Sequence, residues 1–370
     1  MLNFFARSGA KDQENRQPLD RERDLERDTE TEPRKSQTPK MPRTILMGDP
    51  THFSVLGGAN PHTRDALGRK KTVDADLARH QWHNLARALV AHGVEICVIE
   101  PHPRLTGLVY PANAGFLYPL EGFDRTPSGA SKSFYLANLL PTRAAERDVY
   151  APFINAMGYE TVEIKARFEG EADFFPAGRF MLFTYGRIER QRFVFQMGVP
   201  PWRRVYGFRS EKGALNELQA IAGDRQIIAL ELCLEAYYHG DTVLCSFGPH
   251  REFLLAYLEG LTAPSRERLR QEFDGNLIAL SERDAALYAA NSFQVDHNDK
   301  LYLFMPEGVS DELLNEVRRH SVEPVLTDVS EFLAKGGGSI KCMILDLGPS
   351  SEQPPEAVRF RSERAYQRVY

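Results

Sequence analysis

The chain has 370 residues, with 46 Lys+Arg against 51 Asp+Glu and a formal net charge of −5; it lacks the basic balance that nucleic-acid binding usually needs. Its 42% hydrophobic and 26% charged residues suit a soluble globular protein with a substantial core, and no run approaches the ~18 apolar residues of a membrane span. Four cysteines without a close-spaced pair (Cys97, Cys233, Cys245, Cys342) argue against a zinc ribbon or a disulfide-stapled secreted domain, and place the protein in a reducing cytoplasm.

Residues 1–40 hold nine basic and nine acidic residues and no apolar stripe, which reads as a disordered charged tail. Residues 41–348 read as a single folded domain, and 349–370 as a polar C-terminal tail. Within the domain, strand-like and helix-like patterns alternate. The strand Thr44–Met47 precedes a helix over Asp74–His92, with Leu77, Trp82, Leu85 and Leu89 at helical spacing, and then a strand over Val94–Ile99. A second unit uses strands at 108–117 and 133–140, a helix at 142–157 and a strand at 161–165. A third runs through a strand at 180–185, a helix at 210–221 and a strand at 226–232. The fourth combines strands at 242–247 and 252–258, a helix at 264–273 and a strand at 276–280; the fifth has strands at 287–295 and 300–305, a helix at 310–320 and a strand at 323–327. Five strand–strand–helix–strand units suggest a pseudo-fivefold α/β architecture. An ordinary doubly wound sheet fits the same pattern.

Four segments carry groups suited to chemistry. Lys335-Gly336-Gly337-Gly338-Ser339-Ile340-Lys341-Cys342 joins a flexible glycine loop, able to close over a ligand, to a cysteine beside a lysine. A glycine turn leading into a strand with a buried cysteine explains it equally well. In Tyr238-His239-Gly240-Asp241-Thr242, an extended strand would put His239 and Asp241 on one face, a histidine for proton transfer and an aspartate for a cation. Phe168-Glu169-Gly170-Glu171-Ala172-Asp173 sets carboxylates among aromatics, a guanidinium clamp or an acidic surface loop. Pro111-Ala112-Asn113-Ala114-Gly115 isolates one amide in an apolar strand, and its plain reading is an Asn in a tight turn.

Together, in order and content, these segments resemble the guanidino-group-modifying superfamily (the penteins), which includes arginine deiminase, dimethylarginine dimethylaminohydrolase, amidinotransferases and arginine dihydrolases. The resemblance spans roughly 44–347. It also takes in Asn60-Pro61 and Gly207-Phe208-Arg209-Ser210, and the Gly336–Cys342 motif is its most specific part. It implies a pseudo-fivefold α/β propeller and a cysteine mechanism without cofactor or metal. Cys342 would be the nucleophile, His239 the general acid/base, and Glu169 and Asp241 the holders of the guanidinium. Asn113, Asn60, Asp173, Arg209, Gly337 and Gly338 would bind substrate. Arg209 matches an arginine that contacts a substrate carboxylate, against the alternative of a surface arginine at a helix start.

Asn113 stands where deiminases carry aspartate. Together with Asn60 it resembles the dihydrolases, which hydrolyse twice and release ornithine. An amidinotransferase with an amine acceptor is the alternative, and a non-enzymatic ribosomal-subunit-binding factor of the same fold a third reading. That factor lacks the Cys/His/carboxylate set retained here. Several positions depart from the family pattern: Ala172 replaces a glycine, Glu171 adds a carboxylate and Gly240 replaces a leucine. The basic segment Ile188–Tyr206 reads as a lid over the site or a solvated loop.

Overall fold

The computed structural model describes residues 42–119, 132–195, 197 and 202–349. The expected charged N-terminal tail at 1–40 lies outside them, as does the C-terminal tail beyond Pro349. Thr44–Met47 form the buried centre of strand β1 (Arg43–Gly48). Helix α1 (Ala75–Ala91) starts where the Asp74 carboxylate accepts from the Asp76 and Leu77 amides, an N-cap on otherwise orphan donors. It buries Ala78, Trp82, Leu85 and Leu89 against the sheet; each buried Leu contributes about 2 kcal/mol. Gly93 then releases the chain into β2 (Val94–Ile99).

The second unit holds β3 (Gly115–Tyr118), β4 (Ser133–Leu136), α2 (Arg147–Ala156) and β5 (Glu160–Glu163). The third has β6 (Phe174–Ala177), β7 (Phe180–Tyr185), a ribbon of β8 (Arg192–Phe195) and β9 (Trp202–Val205), then α3 (Ala214–Ala222) and β10 (Ile227–Glu231). The fourth comprises β11 (Leu244–Phe247), β12 (Phe253–Ala256), α4 (Ala263–Glu272) and β13 (Leu277–Ala279). A short helix α5 (Glu282–Ala286) leads to the fifth: β14 (Phe293–His297), β15 (Lys300–Pro306), α6 (Asp311–Arg319) and β16 (Val322–Thr327). Helix α7 (Ser330–Gly336) and β17 (Leu345–Pro349) complete the chain.

Five three-stranded sheets result, alike in topology. In each, an outer strand runs antiparallel to the middle strand, which pairs in parallel with the strand after the helix: β3-β4-β5, β6-β7-β10, β11-β12-β13 and β14-β15-β16. The first unit borrows its outer strand from the end of the chain, giving β17-β1-β2. The fold is thus α/β with five like units, and a single doubly wound sheet is excluded. Among the described residues no helix is long and apolar enough to cross a membrane.

Several boundaries differ from expectation. The strand read at 108–117 begins only at Gly115, because Pro111 lacks an amide hydrogen and the preceding chain winds into 3-10 turns at Thr106–Val109 and Pro111–Asn113. The strand read at 287–295 likewise begins at Phe293. His239 and Asp241 do not lie on an extended strand: His239 caps the 3-10 turn Gly240–Thr242, and Asp241 lies inside it. Gly240 is required there, since a Cβ would come within 2.2 Å of Thr184 Oγ1.

A common register underlies the site. The outer strands begin at Gly115, Phe174, Leu244, Phe293 and Leu345. Counting back five residues gives Tyr110, Glu169, His239, Tyr288 and Ile340. Counting back three gives Ala112, Glu171, Asp241, Ala290 and Cys342, and counting back two gives Asn113, Ala172, Thr242, Asn291 and Met343. Site residues therefore recur at equivalent places in the turns that enter the outer strands.

Candidate active site

Cys342 lies in the 3-10 turn Lys341–Met343. Its Sγ is 3.5 Å from Asp241 Oδ2 and 3.2 Å from Asn291 Nδ2. His239 Nε2 is 2.8 Å from Glu169 Oε2. Cys342, His239, Asp241 and Glu169 are all buried, so the structure gathers into one cluster four groups spread over 174 positions of sequence (169 to 342). Burial opposes charge on Glu169, but the His239 hydrogen bond and the charges of His239, Arg143 and Arg209 hold its carboxyl down to about 2. An ionised carboxylate only accepts, so His239 Nε2 donates and Nδ1 is the nitrogen left for proton exchange. Nδ1 is buried without a partner among the described groups.

Burial pushes Asp241 up to about 6, against the opposing pull of His239 and Lys341. Its Oδ1 has no hydrogen-bond partner among the described groups. Burial, and then the neighbouring Asp241, raise the Cys342 thiol well above its ordinary value. A buried thiol beside a carboxylate is thus held protonated until positive charge arrives. Among the described residues no group of His, Cys, Asp and Glu is placed to hold a metal ion.

A cleft enclosing about 910 Å³, open solvent included, leads to this cluster past Asn60, Asn113, Arg143, Glu169, Arg209 and His239. Asn60 Nδ2 donates to Gly336 O (2.8 Å) and to Tyr238 Oη (3.2 Å), while its Oδ1 has no hydrogen-bond partner among the described groups. Gly336 and Gly338 line the cleft, and Gly337 (φ +75°) turns the chain out of α7. Arg209, only 3% exposed, is no surface residue: it donates to Gly207 O and Ala59 O and lies 4.7 Å over the Tyr238 ring. The helix expected to begin at Ser210 starts instead at Ala214.

Asp173 does not line the cleft; its oxygens accept from Ser210 Oγ (2.6 Å), Thr184 Oγ1 (2.6 Å) and the Gly240 amide (2.9 Å). That engagement holds the His239 turn in place. The basic segment at 188–206 is a two-stranded ribbon, and none of its described residues lines the cleft.

Two residues escaped the sequence reading. Asn291 is fully buried: its Oδ1 accepts from the Cys342 amide (3.0 Å) and the Ser339 amide (3.1 Å), and its Nδ2 donates to Asp241 O and Cys342 Sγ. It is the register equivalent of Asn113, a signal present in the sequence once the outer strands are aligned. Arg143 donates from Nη1 to Asn113 Oδ1 (2.7 Å) and is held by Glu146 through Nε (2.9 Å) and Nη2 (2.7 Å). Arginine has only donors, so the Asn113 atom facing it is the oxygen. The Asn113 amide nitrogen therefore faces His239, at 3.5 Å.

Known proteins resemble this arrangement in sequence and fold. Residues 207–348 match the family described as N,N dimethylarginine dimethylhydrolase, eukaryotic. The N(G),N(G)-dimethylarginine dimethylaminohydrolase of Mycobacterium tuberculosis is 28% identical over 314 residues, covering 85% of this chain and 88% of that one. The bifunctional arginine dihydrolase/ornithine cyclodeaminase AgrE of Nostoc is 25% identical over 304 residues, 81% of this chain but 37% of its own length. Among solved structures, the N-terminal domain of ArgZ, an arginine dihydrolase from cyanobacteria, superimposes with a TM-score of 0.66 at 23% identity, covering 82% of this chain and 98% of that one. A variant of that domain has also been solved covalently bound to a reaction intermediate.

Proposed function

We propose that this chain, a member of the guanidino-group-modifying (pentein) superfamily, is a cysteine-dependent hydrolase that acts on arginine through a covalent thiouronium on Cys342. The observation that carries this reading is the convergence of Cys342, His239, Asp241 and Glu169 in one buried cluster at the end of a cleft. We read the five units as blades of a pseudo-fivefold α/β propeller, with the catalytic turns at its centre and residues 41–348 as the catalytic unit. A reducing, cytoplasmic setting suits a free thiol nucleophile.

A guanidinium held by Glu169 and by the unpartnered Oδ1 of Asp241 brings the positive charge that lowers the Cys342 thiol toward thiolate. The thiol proton passes to the unpartnered Nδ1 of neutral His239 as the thiolate attacks the guanidinium carbon, forming a C–S bond. His239 Nδ1 delivers that proton to one nitrogen, which leaves as ammonia when its C–N bond breaks. His239, neutral again, takes a proton from water as the oxygen attacks the thiouronium carbon; the C–S bond breaks, His239 returns its proton to the Cys342 thiolate, and the ureido product leaves after losing its hydroxyl proton to solvent. Arg209, a buried charge that lines the cleft, suits the substrate carboxylate.

The orientation of Asn113 favours a second round over a single one. With its oxygen committed to Arg143, it presents NH₂ to the site. A guanidinium offers donors alone and gains nothing from that edge, whereas a ureido carbonyl accepts from it. Holding the ureido compound for another attack yields ornithine, ammonia and carbon dioxide.

The test is acid quenching during turnover with arginine, followed by peptide mass analysis. A mass gain confined to the Cys342 peptide is expected, and His239→Ala should trap the adduct or stop the first step. The mass gain should vanish in Cys342→Ser, together with turnover. Substantial turnover by a folded Cys342→Ser would remove the mechanism.

A further inference from the structure

Glu171 stands at the same register as Asp241 and Cys342, three residues before an outer strand, yet the mechanism above does not use it. Its Oε2 accepts from Lys341 Nζ at 2.7 Å and from the Asp346 amide at 3.1 Å. Lys341 also donates to Ile344 O (3.0 Å), and Asp346 pairs with Arg43 through Nε (2.9 Å). Glu171 follows Glu169 by two residues in the turn Gly170–Ala172, and Lys341 immediately precedes Cys342. One buried ion pair therefore joins the turn that holds the nucleophile to the turn that holds the guanidinium-binding carboxylate.

We propose that Glu171 and Lys341 are positioning residues, a charge-balanced clasp that fixes the Cys342 turn against the Glu169 turn and neutralises charge beneath the thiol. The pair lines a second cavity, about 870 Å³ with open solvent included, which Asp241 also lines; neither Glu171 nor Lys341 lines the cleft that leads to Cys342. A short 3-10 turn has few internal hydrogen bonds to keep its shape. A misplacement of ~1 Å at a nucleophile costs roughly a hundredfold in rate, so an external tie has a large effect. Removing one partner upsets the charge balance of the clasp, and the change acts on the nearby thiol.

Asp241 and the phenols Tyr110, Tyr238 and Tyr288 act on Cys342 directly; His239 and Lys341, paired with Glu169 and Glu171, act on Asp241. Against that background the two halves of the clasp have opposite electrostatic effects. Lys341→Met takes a positive charge from the nucleophile's turn and leaves Glu171, which burial already pushes up to about 7, without the partner that favours its charge; Glu171→Gln leaves Lys341 positive and unpaired. This inference rests on Cys342 as nucleophile but not on arginine as substrate, so its test reads the thiol itself.

The experiment follows iodoacetamide alkylation of Cys342 against pH, by peptide mass, in the full chain. The midpoint should move up by about half a unit or more in Lys341→Met and down by a similar amount in Glu171→Gln, with Lys341→Arg close to wild type. On arginine, kcat should fall about tenfold or more in both single variants, with KM within about threefold. Folded variants whose midpoints coincide with wild type, or move together in one direction, would overturn the proposal. Should a single variant fail to fold, the charge-balanced Glu171→Gln/Lys341→Met double variant decides. It should keep the wild-type midpoint within about 0.3 unit while losing kcat, and a shifted midpoint would overturn the proposal.

Discussion

Asp241 answers to two opposed demands. As a buried carboxylate it weakens the fold, and in the proposed mechanism it holds a cationic substrate as an anion beside Cys342. Its carboxyl is raised from 3.8 to about 6, so its contribution to stability is present below pH 3.8 and lost as pH rises through about 6. At pH above 7 the ionised side chain costs the fold up to about 3 kcal/mol. Asp241→Asn should therefore raise Tm by a few degrees near pH 7.5, with little gain near pH 4, while turnover drops by at least about a hundredfold. For the same reason wild-type kcat/KM should decline as pH falls through about 6. A Tm near pH 7.5 that stays level or drops in Asp241→Asn would contradict this account. Not every residue was equally legible. Cys342, His239, Asp241 and Glu169 stood out because each lies in a motif of unusual content. Asn291 sits in Ala289-Ala290-Asn291-Ser292, which reads as an ordinary turn. Its role depends on contacts with Asp241 and Cys342 made across 50 and 51 residues, and no local pattern reports those.

The strands, helices and turns divide by how locally they are specified. Helices α1 and α6 were readable because capping and apolar spacing are local: Asp74 and Ser310 cap them, and Leu85, Leu89, Leu313 and Val317 form their buried faces. The entry turns were misread as strand because their apolar residues are buried by the neighbouring units and not by strand pairing. The β8–β9 ribbon was missed because its aromatic face is turned outward: Phe193, Phe195 and Trp202 are 64%, 63% and 56% exposed. Cross-strand pairs Phe193↔Arg204 and Phe195↔Trp202 put these rings on one side, while Val205 on the other side is buried. Since the ribbon's described residues stay out of the cleft, Phe193→Ser/Trp202→Ser should leave kcat/KM for arginine within about twofold. A loss beyond about tenfold would make the ribbon part of the catalytic apparatus.

Across the whole molecule, Cys342 reaches its place only when the chain closes on itself. β17, three residues beyond Cys342, pairs with β1 at the opposite end of the domain, and Arg43 bridges to Asp346 across 303 residues. The fivefold alternation of strands and helices was visible in the sequence, whereas this closure was not, because a five-residue strand at a chain end carries no mark of its partner. Its consequence is functional: four turns from four units, plus Asn291 from the fifth, build one site that none of them contains alone. Whether that site performs two rounds of hydrolysis is decided by incubating the purified protein with isotope-labelled arginine, with and without glycine, and resolving the products by mass. The account predicts ornithine with two ammonia per turnover, independent of glycine, and a shift toward citrulline in Asn113→Asp. Guanidinoacetate formed only with glycine, or no product from arginine in either mixture, would contradict it.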